Sequence, residues 1–158
     1  MYLFITSRLD NGNSLLHGLP KTQIDRLQRI QNTAARIVMR VKIFDHITQH
    51  LQTLHWLPVK ARIEFKILLL TYKAIHDMSP QYLKEMLVPY KNSKNTRSNY
   101  KGLLLVPATK SKTCGDRASV KAAPLLWNKL PEAIRKIETI LKFKSAFKSF
   151  LFEQYYEL

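Results

Sequence analysis

Cys114 is the only cysteine in a chain of 158 residues. An internal disulfide is excluded, and a zinc site built on paired cysteines is excluded with it. Glycine is also scarce, at four. Four scattered glycines make neither a Walker-type phosphate loop nor a dinucleotide fingerprint. Their scarcity also argues against a turn-rich β fold. No apolar run approaches the roughly 18 residues that span a bilayer. The apolar opening, MYLFITSRLD, has no basic region ahead of it and no cleavage site, so it is not read as a signal peptide. Acidic residues number 11 against 26 Lys+Arg. The aspartates, Asp10, Asp25, Asp45, Asp77 and Asp116, are isolated from one another. With no Asp-Asp pair, nothing signals the clustered carboxylates of two-metal chemistry. His46 and His50 are four apart and His55 follows, a spacing looser than zinc motifs use, so capping or packing is the plainer role.

What is abundant is positive charge. A formal net charge of +15 repels itself in a folded chain, and a polyanionic partner is the usual reason to carry it. Nucleic acid is the first candidate and an anionic membrane surface the second. A lone cysteine suits a reducing, intracellular compartment, with nucleus or cytoplasm left open. At 158 residues and 46% hydrophobic, the chain is expected to form a single helical domain with a buried core.

Periodicity organises that domain around one helix, about 58–76, which follows the turn at His55-Trp56-Leu57. Val59, Ile63, Ile67, Leu70 and Ala74 make one apolar stripe; Ala61, Phe65, Leu68, Leu69, Tyr72 and Ile75 make a second. A helix apolar on two faces has neighbours on both. Ahead of it, residues 3–18 read as helical but interrupted by Asn11-Gly12-Asn13, a turn signal. Residues 20–41 form an amphipathic helix with Ile24, Leu27, Ile30, Ala34, Ile37, Val38 and Val41 on one face. A short helix runs to Leu54 with Asp45 as its N-cap, and another starts with Ser79 as its N-cap and Pro80 in its first turn. Residues 91–117 read as a basic loop and hairpin insertion, in which Gly102–Pro107 is a strand and 109–114 its partner, giving one short β-hairpin at about 103–114. A helix over 118–130 contains Pro124, with Trp127 as a core anchor. The last helix, 141–156, carries Phe143, Phe147, Phe150 and Leu151 on one side. The fold class expected is therefore mainly α.

Two basic groups stand out. Arg26, Arg29, Arg36 and Arg40 share a sector of roughly 80° at 100° per residue, with Lys42 just beyond. Such a stripe can follow a phosphate backbone; a solvated face is the blander alternative. Between Lys91 and Lys121, eight basic residues accompany one acid, Asp116. Lys110, Lys112 and Arg117 are the phosphate contacts expected there, and Tyr90 and Tyr100 are placed to stack on unpaired bases.

Several strings carry a resemblance. They are Ser7-Arg8-Leu9-Asp10, Asn13-Ser14-Leu15-Leu16 with Gly18-Leu19-Pro20, Leu27-Gln28-Arg29-Ile30-Gln31-Asn32, Phe44-Asp45-His46-Ile47-Thr48, Leu54-His55-Trp56-Leu57-Pro58-Val59 and Arg62-Ile63-Glu64-Phe65-Lys66. Further on come Gly115-Asp116-Arg117-Ala118, Ala122-Ala123-Pro124, Leu126-Trp127-Asn128, Leu130-Pro131 and Phe143-Lys144. In this order they resemble the C-terminal region of reverse transcriptases from jockey-like non-LTR retrotransposons. The resemblance spans nearly the whole chain. It implies the thumb and the segment downstream of it, which help to hold template and primer. The family's palm motif, an aromatic followed by an Asp-Asp pair, is not in this chain, nor is the endonuclease domain, so no catalytic residue carries over. Asn11-Gly12-Asn13 departs from the aromatic-Cys-Asn expected there, which suits a decaying or repurposed copy.

The expectation is a non-enzymatic fragment that binds RNA, DNA or RNA–DNA hybrid through phosphates with weak sequence preference. It would use Arg26, Arg29, Arg36, Arg40, Lys42, Lys110, Lys112 and Arg117. No cofactor, metal, membrane or small-molecule substrate is expected, and the palm domain of a related polymerase is a further partner. The alternative is a non-catalytic protein-interaction or structural remnant, which a large exposed apolar patch would favour.

Overall fold

The computed structural model describes residues 7–90, 102–109, 111 and 114–156. The mainly helical class holds: among the described residues there are eight α-helices and no strand or sheet. After a helical stretch at 7–10 and a 3-10 turn at Asn13–Leu16 come α1 (Lys21–Met39), α2 (Ile47–Thr53), α3 (Val59–Ile75), α4 (Gln81–Glu85), α5 (Cys114–Arg117), α6 (Ser119–Lys129), α7 (Glu132–Arg135) and α8 (Ile140–Tyr156). The chain divides into two compact units, Met1–Glu64 with Ser149–Leu158, and Phe65–Lys148. Both boundaries fall inside long helices, α3 and α8.

In the first unit α1 packs on α2. Ala34, Ala35, Leu51 and Trp56 form a buried cluster, with Ile47, Leu54 and Tyr156 against it. The buried side of α1 is not the one its hydrophobic pattern suggests. Gln31 is 1% exposed, whereas Ile30 and Ile37 are each 55% exposed and Val38 is 39% exposed. Hydrogen bonding explains the rotation. The Gln31 amide donates to the Leu57 carbonyl (2.8 Å), and Gln28 Oε1 accepts the Val59 N–H (2.9 Å). Gln28 Nε2 in turn donates to Gln31 Oε1 and Asn32 Oδ1. A helix N-terminus leaves its first N–H groups without partners inside the helix. Here a glutamine from α1 caps α3 from outside, and Pro58 sits one residue before the helix, its carbonyl taking the Arg62 N–H at 3.0 Å. Arg62 also pairs with Asp10 through two N–H groups, the Nε contact being 2.8 Å.

At the end of α8, the Tyr156 hydroxyl donates to the Trp56 carbonyl at 2.5 Å, and Tyr155 donates to Glu64 Oε1 at 3.1 Å. Burial pushes the Tyr156 phenol up to about 12. Burial, then the Glu64 charge, and then the hydrogen bond to it raise Tyr155 as well. Both rings therefore stay neutral donors, because the charged form loses solvation when buried.

In the second unit the core is aromatic. Tyr72, Trp127, Phe143 and Phe147 are 0–2% exposed. Tyr72 stacks on Phe143 with ring centroids 4.1 Å apart, and Phe65 stacks on Phe147 at 5.5 Å. The two-stripe reading of α3 holds at most positions; the exceptions are Ile75, which is exposed, and Thr71 between the stripes, which is buried with its hydroxyl donating to the Ile67 carbonyl. Ile67 and Ala74 of one stripe and Leu68 and Tyr72 of the other are buried here, and Val59, Ile63 and Ala61 are buried in the first unit.

The apolar run after Gly102 does not form the expected hairpin among the described residues. It pairs backwards: Leu104 bridges antiparallel to Pro89, the Tyr90 N–H donates to the Leu103 carbonyl (2.9 Å) and the Leu105 N–H to the Val88 carbonyl (2.8 Å). Its other edge is met by a side chain. Asn128 accepts the Leu104 N–H (2.9 Å) and donates to the Leu104 carbonyl (2.8 Å), and Trp127 Nε1 donates to the Gly102 carbonyl (2.9 Å). An amide that offers both a donor and an acceptor replaces a neighbouring strand. Of the expected partner stretch, Lys110, Lys112 and Thr113 lie outside the described residues, and Cys114 begins α5. Gly115 of α5 has a steric reason: a Cβ there would sit 2.8 Å from Thr109 Cβ.

Scarce glycine shows at the helix ends. Arg40, His55 and Asp77 follow α1, α2 and α3 with φ between 52 and 58°. In each case the next residue's N–H bonds back five residues, Val41 to Arg36, Trp56 to Leu51 and Met78 to Lys73. This is the stop that glycine usually serves. Asp45 and Ser79 are not the N-caps expected of them; His46 and Pro80 occupy those positions. Asp45 accepts the Lys42 N–H instead, at 2.8 Å.

Candidate nucleic-acid interface

The arginine stripe lies on the outer side of α1, opposite Gln31 and Ala35. Arg26, Arg29, Arg40 and Lys42 are exposed. Arg36 is half-buried, and its Nε is buried without a partner among the described residues. Its carbonyl accepts both the Arg40 and the Val41 N–H, so the backbone beneath the guanidinium is fixed. From Arg26 to Phe44 there are five basic residues and no acidic one. Asp25 and Asp45 flank the stretch, so the field along it is mainly, not wholly, positive.

The second basic group is not reached as a group. Lys110 and Lys112 lie outside the described residues, as do Lys91, Lys94, Arg97, Tyr100 and Lys101. Arg117 is exposed and closes α5 in the second unit. Lys121 is half-buried, with its Nζ donating to Thr109 Oγ1 at 2.9 Å. Of the expected site residues, Arg26, Arg29, Arg36 and Arg40 are brought onto one helix and Lys42 follows it.

Hydrophobic patterning missed two features. Ile30 and Ile37 sit beside the arginine stripe rather than in the core, because glutamine hydrogen bonds set the rotation of α1. Phe44 is 93% exposed and Ile43 is 71% exposed. The turn that carries them is tied twice, by the Lys42 N–H to Asp45 Oδ2 (2.8 Å) and by the Asp45 N–H to the Lys42 carbonyl (3.2 Å). No spacing rule marks an exposed aromatic; only the turn chemistry of an aspartate three residues past a lysine hints at it.

The histidines do not converge. His55 packs its ring on Phe152 at 5.7 Å, and His46 precedes α2. Among the described residues no three His, Cys, Asp or Glu side chains are grouped to hold a metal ion, and no helix is long and apolar enough to cross a membrane.

No family model, curated protein or solved structure matches this chain.

Proposed function

We propose that this chain is a non-catalytic fragment of a retrotransposon reverse transcriptase that binds nucleic acid through phosphates, with little sequence preference. The observation that carries the reading is the outer face of α1: Arg26, Arg29 and Arg40 are exposed together, Lys42 follows, and no acid intervenes. Guanidinium groups match phosphate oxygens in charge and geometry, and nothing in the stripe is built to read base edges. The strings that resemble the retrotransposon family supply the context of template and primer.

The test is fluorescence anisotropy of the purified chain with labelled RNA, DNA and RNA–DNA hybrid across a salt series. Affinity is expected to fall steeply with salt. The double reversal Arg26→Glu/Arg29→Glu removes two phosphate contacts, so the log–log salt slope should flatten by about 2 on duplex DNA, at roughly 0.9 per contact. An unchanged slope removes this face from the site.

A second reading, a remnant whose faces served protein contact, is favoured by one observation: Ile30, Ile37 and Val38 lie exposed on α1. Phosphate binding has no use for them. A folded chain without affinity for any of the three nucleic acids, whose Ile30→Ser/Ile37→Ser variant loses self-association or aggregation, would select this reading.

A further inference from the structure

The turn after α1 holds an aromatic ring where the fold gives it nothing to do. Phe44 is 93% exposed, more than any other large apolar side chain described. It makes no contribution to the core, and water around a bare phenyl ring is unfavourable. A floppy segment would let the ring fold back on apolar neighbours. This turn is tied by the two hydrogen bonds between Lys42 and Asp45, so the ring is held outward. Using the Lys42 N–H as its donor also turns the Asp45 carboxylate toward the turn's own backbone. Exposed cations at Arg40 and Lys42 stand four and two residues before the ring.

We propose that Phe44 is a base-stacking platform and that the basic face of α1 therefore takes single-stranded nucleic acid in preference to duplex. This deepens the phosphate-binding reading and rests on it. A phenyl ring offers a π-face to any base, independent of sequence, but only to a base not already stacked inside a helix. Phosphates on either side of the stacked nucleotide meet Arg40 and Lys42. Duplex would engage the same cations and leave the ring idle.

The experiment compares one labelled 12-nucleotide RNA, alone and annealed to its complement, on the full chain and on Phe44→Ala, Phe44→Leu and Phe44→Trp. Circular dichroism checks folding, which an exposed turn position should not disturb. Single-strand affinity should fall about tenfold in Phe44→Ala, in the range for one stacked base, while duplex affinity stays the same. Phe44→Leu should be as weak as Phe44→Ala, because it keeps apolar area and loses the π-face. Phe44→Trp should bind normally, and its indole emission should change on binding. Trp56 and Trp127 are 4% and 2% exposed, so the introduced indole dominates that signal. Full affinity in Phe44→Leu, equal losses on single strand and duplex, or an unperturbed indole would overturn stacking while leaving phosphate binding intact. Absence of binding to either form overturns both readings and points the ring toward a protein partner.

Discussion

Tyr72 shows how a single atom can work against its own core. The ring is fully buried, stacked on Phe143 and set against His76 at 4.2 Å. Its hydroxyl is buried as well and has no hydrogen-bond partner among the described residues. Burial, and after it the Glu138 charge, raise its pKa, so the group stays neutral. An unpaired buried hydroxyl costs roughly 1–3 kcal/mol of desolvation. Tyr72→Phe keeps the ring and its stacking and deletes the orphan oxygen. Stability measured by urea denaturation should rise by about 1 kcal/mol. A fall of that size would mean that the hydroxyl is satisfied in solution. At Arg40 the stress lies in the backbone instead. A non-glycine residue in the left-handed region is strained by about 1 kcal/mol, and here that strain is borne by a cation of the proposed site.

Between elements, the ties are made by side-chain amides. Asn128 is the clearest, because both its hydrogen bonds go to one buried residue, Leu104. Asn128→Ala would orphan an N–H and a carbonyl together, at roughly 1–3 kcal/mol each, so a loss of about 2–6 kcal/mol is expected in thermal or urea unfolding. A loss under 1 kcal/mol would show that water replaces the amide. These ties also mark what the sequence makes legible. Helices α3 and α8 are readable because their apolar residues recur at helical spacing and most of them are buried as the period requires. The rotation of α1 is not readable that way: Gln28 and Gln31 look like surface residues until Leu57 and Val59 are placed opposite them. The run at Leu103–Leu105 asks for an edge partner, and a strand is the ordinary answer; that Asn128 supplies one edge cannot be seen from local propensity. The arginine face was legible as an angular sector, whereas Phe44 was not, since exposure of an aromatic has no period. The strings behind the family resemblance do acquire structural work in this chain. Asp10 pairs with Arg62, Gln28 and Gln31 hold Leu57 and Val59, and Asn128 clasps Leu104.

For the molecule as a whole, the net charge of +15 sets up two opposite responses to salt. Like charges that repel in the folded chain are screened as the Debye length shrinks from about 10 Å at 0.1 M to about 3 Å at 1 M. The free chain should therefore melt at a higher temperature as sodium chloride rises toward about 0.5 M, where screening of surface charge is largely complete. A bound polyanion reverses the trend. Ligand that binds only the folded state adds stability as the logarithm of its saturation, about 2.7 kcal/mol at a hundred times Kd, and salt raises that Kd steeply. Melting curves with and without single-stranded RNA should then stand far apart at low salt and converge at high salt. Curves that rise in parallel would mean that the charge only solubilises the chain. Curves that coincide at every salt concentration would return the outer face of α1 to the solvated-surface reading, and the exposed isoleucines beside it would become the better guide to a partner.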